Sequence, residues 1–270
     1  MRIFNYEILK PINSGGTANV YLAVDLHNGQ PVALKKLKNG LLDNPVMLEK
    51  FIDEANRYLY LNHPNIVKLK DFILIEKEKK EGYLIMEYVD GLNLKNFVEQ
   101  VGALPAQNVG LFSMEVLAAL EYAHNQNVLH LDIKPANIML SDSNQIKLID
   151  FGISSDTKKS MKEIMGSPFY MSPEQIEGRD IDERSDIYSV GVTIYELFTG
   201  KLPFQDSKTR EELFQRIKSA DIPKADTNYE GDSVYIKTVN EIIQNCTAKK
   251  PVDRYQNCDQ LQNDIIKLLN

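Results

Sequence analysis

The apolar pattern of this 270-residue chain changes period once, and that change limits the folds open to it. Up to about residue 90 the apolar residues come in short strand-like runs: Tyr6-Glu7-Ile8-Leu9, Val20 to Val24, Pro31 to Leu34, Val67 to Ile75 and Tyr83 to Tyr88. Asn28-Gly29 ahead of Pro31 marks a hairpin. The charge run Glu76 to Glu81 reads as its solvated counterpart between the last two strands. One helix interrupts this series, roughly Val46 to Leu61, with Phe51, Ala55, Tyr58 and Leu59 at helical spacing. Beyond Asp90-Gly91 the pattern is helical. Val109, Phe112, Val116, Leu120 and Ala123 mark one amphipathic face, and Ile187 to Phe198 is apolar nearly all round, as for a helix in the middle of a lobe. The pattern predicts an α+β chain. A small antiparallel-sheet N-lobe with one main helix covers about 1–88, and a hinge lies at about 87–91. A larger helical C-lobe covers about 92–270, with a cleft expected near Glu87 to Asp90.

Composition removes several classes of function. No apolar run is long enough to span a bilayer, and Met1-Arg2-Ile3-Phe4 lacks the shape of a signal peptide. The expectation is a cytoplasmic protein, or the cytoplasmic domain of a longer one, with no membrane segment in this chain. A net charge of −7 argues against nucleic-acid binding, which rests on clustered Lys and Arg. Cys246 and Cys258 are the two cysteines and form no C-x-x-C. They read as buried or half-buried thiols rather than as a disulfide framework or a zinc site.

The chemistry concentrates in His130-Leu131-Asp132-Ile133-Lys134-Pro135-Ala136-Asn137, followed by Asp150-Phe151-Gly152. Phosphoryl transfer from ATP needs a carboxylate to orient a hydroxyl, cations against developing charge, and ligands that hold a metal on the phosphates. Asp132 can accept the hydroxyl proton, Lys134 can screen the γ-phosphate, and Asn137 and Asp150 offer oxygen ligands that suit Mg²⁺, with Mn²⁺ as a second choice. Upstream, Val32-Ala33-Leu34-Lys35 puts a lysine at the end of a strand, where it can grip phosphates if a carboxylate such as Glu54 holds its ammonium. Gly15-Gly16, before Val20, lets backbone amides approach phosphate closely.

In this order and spacing the motifs resemble the eukaryotic-type protein kinase family, and the resemblance runs from Tyr6 to the last helix. The compact loops lean toward its bacterial, eukaryotic-like members. The resemblance implies the bilobal kinase fold and transfer of the γ-phosphate of ATP to a protein hydroxyl. It makes Asp132 the base, with Lys134, Lys35 and Glu54 in catalytic support and Asn137 and Asp150 as metal ligands. It further implies a nucleotide site of Ile12, Gly15, Gly16, Val20, Ala33, Lys35, Glu87, Val89 and Met139, with Met86 as gatekeeper. Tyr58, Leu69, His130 and Phe151 match the family's regulatory stack. Glu174, in Ser172-Pro173-Glu174, would pair with Arg254, and Asp186 would brace the catalytic-loop backbone. Lys134, together with Ser167 before Pro168, is the serine/threonine pattern, so the implied acceptor is a protein Ser or Thr.

Two departures bear on control. The family's glycine-rich loop keeps only Gly15 of its three glycines, with Asn13 and Ala18 at the other two. Leu131 stands where most relatives carry an arginine that binds a phosphate on the activation segment. Glu163 occupies a position that many relatives phosphorylate, and Lys50 is the nearby cation that could meet it. The expectation is activity without activation-segment phosphorylation. The alternative is a pseudokinase, acting as a nucleotide-binding scaffold or interaction module.

Overall fold

The computed structural model describes residues 1–16, 18–76, 80–151, 168–226 and 233–270, apart from the side chains of Lys50, Glu54 and Glu76. Two compact units result, Met1–Asp90 and Gly91–Asn270.

The first unit is a six-stranded antiparallel sheet and one α-helix. Strands β1 (Arg2–Ile3), β2 (Tyr6–Ser14), β3 (Ala18–Asp25) and β4 (Pro31–Leu37) follow in sequence. Helix α1 (Pro45–Leu59) precedes β5 (Leu69–Glu76) and β6 (Lys80–Glu87), and the sheet order is β1-β2-β3-β4-β6-β5. Alternation decides what each face carries. Ile3, Ala23, Val32, Leu34, Tyr83 and Ile85 form a buried cluster on one face. Val20, Ala33, Lys35, Leu84 and Met86 fall on the other, because Val20 pairs with Lys35, Ala33 with Met86 and Lys35 with Leu84. Helix α1 packs on this second face. Asn44 caps its start by accepting from the Val46 amide, and Phe51 meets Phe72 edge-on at 6.1 Å. Gly82 permits the approach, since a Cβ there would lie 2.7 Å from Leu42 Cδ1 and 3.1 Å from Phe51 Cζ.

The helix ends two residues before the sequence suggests, yet buries Phe51, Ala55 and Tyr58 as expected. The Glu76–Glu81 expectation needs correction. Glu76, Lys80 and Glu81 belong to strands, with Ile75 opposite Glu81 and Glu76 opposite Lys80. The charges are tolerated there because Lys36, on the neighbouring strand, meets Glu81 at 2.7 Å, and the Tyr83 hydroxyl donates to the same carboxylate.

The second unit opens with a three-stranded sheet, β7 (Gly91–Asn93), β8 (Ile138–Ser141) and β9 (Ile146–Leu148), with β8 central. Between β7 and β8 lie α2 (Leu94–Val101) and α3 (Ala106–Asn125); after β9 come α4 (Pro173–Glu177), α5 (Glu183–Thr199), α6 (Arg210–Ser219), α7 (Ile236–Cys246) and α8 (Cys258–Ile265). Helix α5 is the central one, buried on all sides from Ser185 to Tyr195. Gly191 lets α7 lie against it, since a Cβ there would come within 2.4 Å of Cys246 Cβ. Val109, Val116, Leu120 and Ala123 turn the inner face of α3 into the core as their spacing predicts. Among the described residues no helix is long and apolar enough to cross a membrane.

Candidate active site

The loop between α3 and β8 carries Asp132, Lys134 and Asn137, and its shape follows from what it buries. Ile133 and Pro135 point inward and are buried, which turns the alternate residues outward. Lys134 Nζ lies 2.8 and 2.6 Å from the two Asp132 carboxylate oxygens. Asn137 Nδ2 donates to the Asp132 carbonyl and to its Oδ2, both at 2.8 Å. Two oxygen partners fix the amide nitrogen on that side, which leaves Asn137 Oδ1 as the atom that could meet a cation. Asp150 comes close to Asn137 in the fold, because the Ile149 amide donates to the Asn137 carbonyl at 3.0 Å. An amide oxygen and a carboxylate are hard donors, and that set fits Mg²⁺ better than a softer metal.

Deeper contacts hold the loop from beneath. Asp186, in the first turn of α5, is fully buried. It accepts from the His130 amide at 2.9 Å, the Leu131 amide at 2.7 Å and His124 Nε2 at 2.8 Å. Burial pushes its carboxyl upward, but these donors outweigh it and leave the group below the ordinary aspartate value. His130 is buried beside Phe151, with ring centroids 4.6 Å apart. Its Nδ1 accepts from the Asp132 amide at 3.3 Å, so Nε2 carries the proton donated to the Ile149 carbonyl at 2.9 Å. Burial lowers its pKa, in keeping with this neutral form. One imidazole thereby joins the segment of Asp132 to that of Asp150.

Around α4 the expected ion pair is present. Arg254 grips Glu174 with two nitrogens at 2.6 and 2.8 Å, both side chains buried, and Ser185 Oγ donates to the same carboxylate at 2.6 Å. Burial works against the Glu174 charge, yet Arg254 and Ser185 hold its pKa below the usual value. Glu196, on α5, accepts the Tyr170 hydroxyl. Burial raises its pKa.

The remaining expected residues fall as follows. Val20, Ala33 and Lys35 share the α1 face of the first unit's sheet, where Lys35 is buried. Glu54 lies on α1 one turn beyond Phe51, and its side chain is outside the described residues. Gly15 and Gly16 follow β2 at a turn closed by the Gly15 amide donating to the Ala18 carbonyl. Ile12 is exposed on β2; the Glu87 amide donates to the Lys68 carbonyl, and Val89 is half-buried. Met139 lies in β8 of the second unit, opposite Asn93 and Lys147. Tyr58 is buried, its hydroxyl donating to the Val67 carbonyl, and Leu69 is buried nearby on β5. Gly152, Thr157, Ser160, Glu163, Gly166 and Ser167, and the Lys50 side chain, lie outside the described residues. Sequence reasoning missed His124 and Gln175. His124 has no motif signal of its own, whereas Ser172-Pro173-Glu174-Gln175 carries the Ser-x-x-Gln signature of a capping box.

A strand-rich unit, a helical unit and this loop define a protein kinase, and comparison with known sequences agrees. The protein kinase domain model matches residues 6–266, and the chain belongs to that family, in its α+β bilobal fold. Among its relatives are serine/threonine-protein kinase PknB of Mycobacterium leprae, 34% identical over 97% of this chain and 43% of that protein. Serine/threonine-protein kinase PrkC of Bacillus subtilis is 34% identical over 96% of this chain and 40% of that protein. The chain thus spans about two fifths of the curated relatives it matches. The crystal structure of the Mycobacterium tuberculosis PknI kinase domain superposes with a TM-score of 0.78 at 25% identity, covering 99% of this chain and 98% of that one.

Proposed function

We propose that this domain transfers the γ-phosphate of ATP to serine or threonine hydroxyls of protein substrates. The observation that carries the reading is the Asp132 cluster: a half-buried carboxylate held by Lys134 and Asn137, on a loop fixed by Asp186. A hydroxyl reaching Asp132 would be oriented by the carboxylate and lose its proton there. Lys134, already within contact of that carboxylate, would turn to the transferred phosphate. Asn137 and Asp150 would hold Mg²⁺, which neutralises phosphate charge during transfer. Lys35, its ammonium held by Glu54, would grip the phosphates, and Ile12, Gly15, Gly16, Val20, Ala33, Glu87, Val89 and Met139 would bind the rest of the nucleotide. The names of the relatives and Lys134 support serine or threonine as acceptor.

The test is a transfer assay with Mg²⁺, labelled ATP and a generic protein acceptor, run beside Asp132→Ala and Lys35→Met. Label on serine or threonine, lost in both variants, is the expected result. Label that stays on ATP with the unmodified protein would end the reading.

Leu131 supports a second element of the proposal, that turnover does not require a phosphorylated activation segment. A leucine side chain offers no donor to a phosphate. Replacing Thr157, Ser160 and Glu163 together by alanine should leave most of the turnover; its collapse would refute this element.

A further inference from the structure

Leu131 has φ of 61°, in the left-handed region that is strained for a non-glycine residue. Such a conformation persists where its surroundings over-determine it. The leucine side chain has no polar atom, so the loop can be held polarly at this residue only through its own N–H and C=O. Both are in use. The N–H donates to Asp186 Oδ1 at 2.7 Å, and the C=O accepts from Gln175 Nε2 at 3.1 Å.

Gln175 has a second task. It is the third residue of α4, and its Oε1 accepts from the Ser172 amide at 2.8 Å while its own amide donates to Ser172 Oγ at 3.3 Å. Its oxygen therefore caps α4, and its nitrogen reaches the residue before Asp132. From these contacts we infer that Gln175 is a positioning residue, tying the start of α4 to the catalytic loop and keeping Asp132 in place without a phosphate. The inference rests on the kinase reading above for its consequence in turnover, but not for the tether itself.

The two ends of the side chain can be separated. In Gln175→Glu the carboxylate still accepts from Ser172, as in the commonest capping box, but nothing donates to Leu131. In Gln175→Met both contacts go and no charge is added. Amide hydrogen exchange at His130 and Leu131 reads the tether without any need for activity. The inference predicts at least about tenfold faster exchange there in both variants, with the thermal midpoint of Gln175→Glu lowered less than that of Gln175→Met, which also loses the cap. It also predicts about tenfold lower kcat in both, with KM for ATP unaltered. Exchange within twofold of the unmodified protein would overturn it, leaving Gln175 as a cap only. So would a loss of kcat confined to Gln175→Glu, which would trace to the new charge. A rise in KM for ATP with kcat preserved would likewise overturn it. If the unmodified protein transfers no phosphate, the kinase reading fails, and exchange alone then decides the tether.

Discussion

Asp132 with Lys134 and Glu174 with Arg254 are both carboxylate–cation contacts of 2.6 Å in the same unit, yet they have different capacities. The side chains of the first pair are 32% and 16% exposed, and those of the second 2% and 0%. The difference lies in what each charge does when its partner moves. Water can replace Lys134 at Asp132, so that contact can open for a hydroxyl. Nothing can replace Arg254 at Glu174, where Ser185 donates to the carboxylate and the carbonyls of Ala248 and Arg184 accept from the remaining guanidinium N–H groups. Exposure makes one pair available for chemistry, and burial makes the other a fixed point for α4.

The sharpest break in the comparison should come from Asp132→Ala. Loss of a general base typically removes about 10²–10⁴ in rate. The same change should cost at most about 1 kcal/mol of stability, as for other solvent-accessible pairs. Steady-state kinetics and thermal unfolding on one preparation check both halves.

Arg254→Met should do the reverse. It leaves Glu174 buried without its cation, and breaking such a pair costs about 3–5 kcal/mol. The pH dependence gives an independent sign. Glu174 has a folded-state pKa below the ordinary glutamate value of 4.5, so its contribution is fully present above about pH 4.5. It is lost as the pH falls through the depressed folded value. Acid unfolding curves should therefore steepen below pH 4.5 in the unmodified protein more than in Arg254→Met. A midpoint in the variant equal to that of the parent would show that the pair does not hold the fold.

How far these pairs could be read in the sequence depended on whether a residue acts through its type or its surroundings. The period change after Asp90 foretold the strand and helix units because alternation and 3.6-residue spacing are local properties. Asp132, Asn137 and Asp150 stood out as a spaced set of oxygen groups suited to metal and hydroxyl. The strand placement of Glu81 was not legible, since it depends on Lys36 and Tyr83 lying beside it in the sheet. His124 is a single histidine near the end of a helix until α5 brings Asp186 to it. Gln175 showed its cap in the sequence but not its reach to Leu131, which needs the left-handed turn of the loop.

Ser185→Ala trims the buried pair without breaking it. The Ser185 hydroxyl donates to Glu174 Oε1, and a hydrogen bond to a charged group contributes about 1.5–3 kcal/mol. Arg254 still neutralises the carboxylate, so the loss should fall below that of Arg254→Met. A larger loss would mean that the serine, rather than the arginine, is the main partner of Glu174. Denaturant unfolding of the two variants side by side ranks them.

Lys36 and Glu81 supply the smallest effect and the finest gauge. Their contact is 2.7 Å, nearly as short as those of the other two pairs, and their side chains are 20% and 28% exposed. Distance alone would therefore predict a contribution like that of Glu174 and Arg254. Exposure predicts about 0–1 kcal/mol, screened by salt. A double-mutant cycle of Lys36→Met and Glu81→Gln isolates the pairwise energy. Tyr83 should be kept intact throughout, because its hydroxyl donates to the same carboxylate and would otherwise enter the cycle. A coupling near that of the buried pair would show that geometry outweighs exposure. A coupling below about 1 kcal/mol that shrinks further in 1 M salt would place this pair beside Asp132 and Lys134, as a contact that water can open.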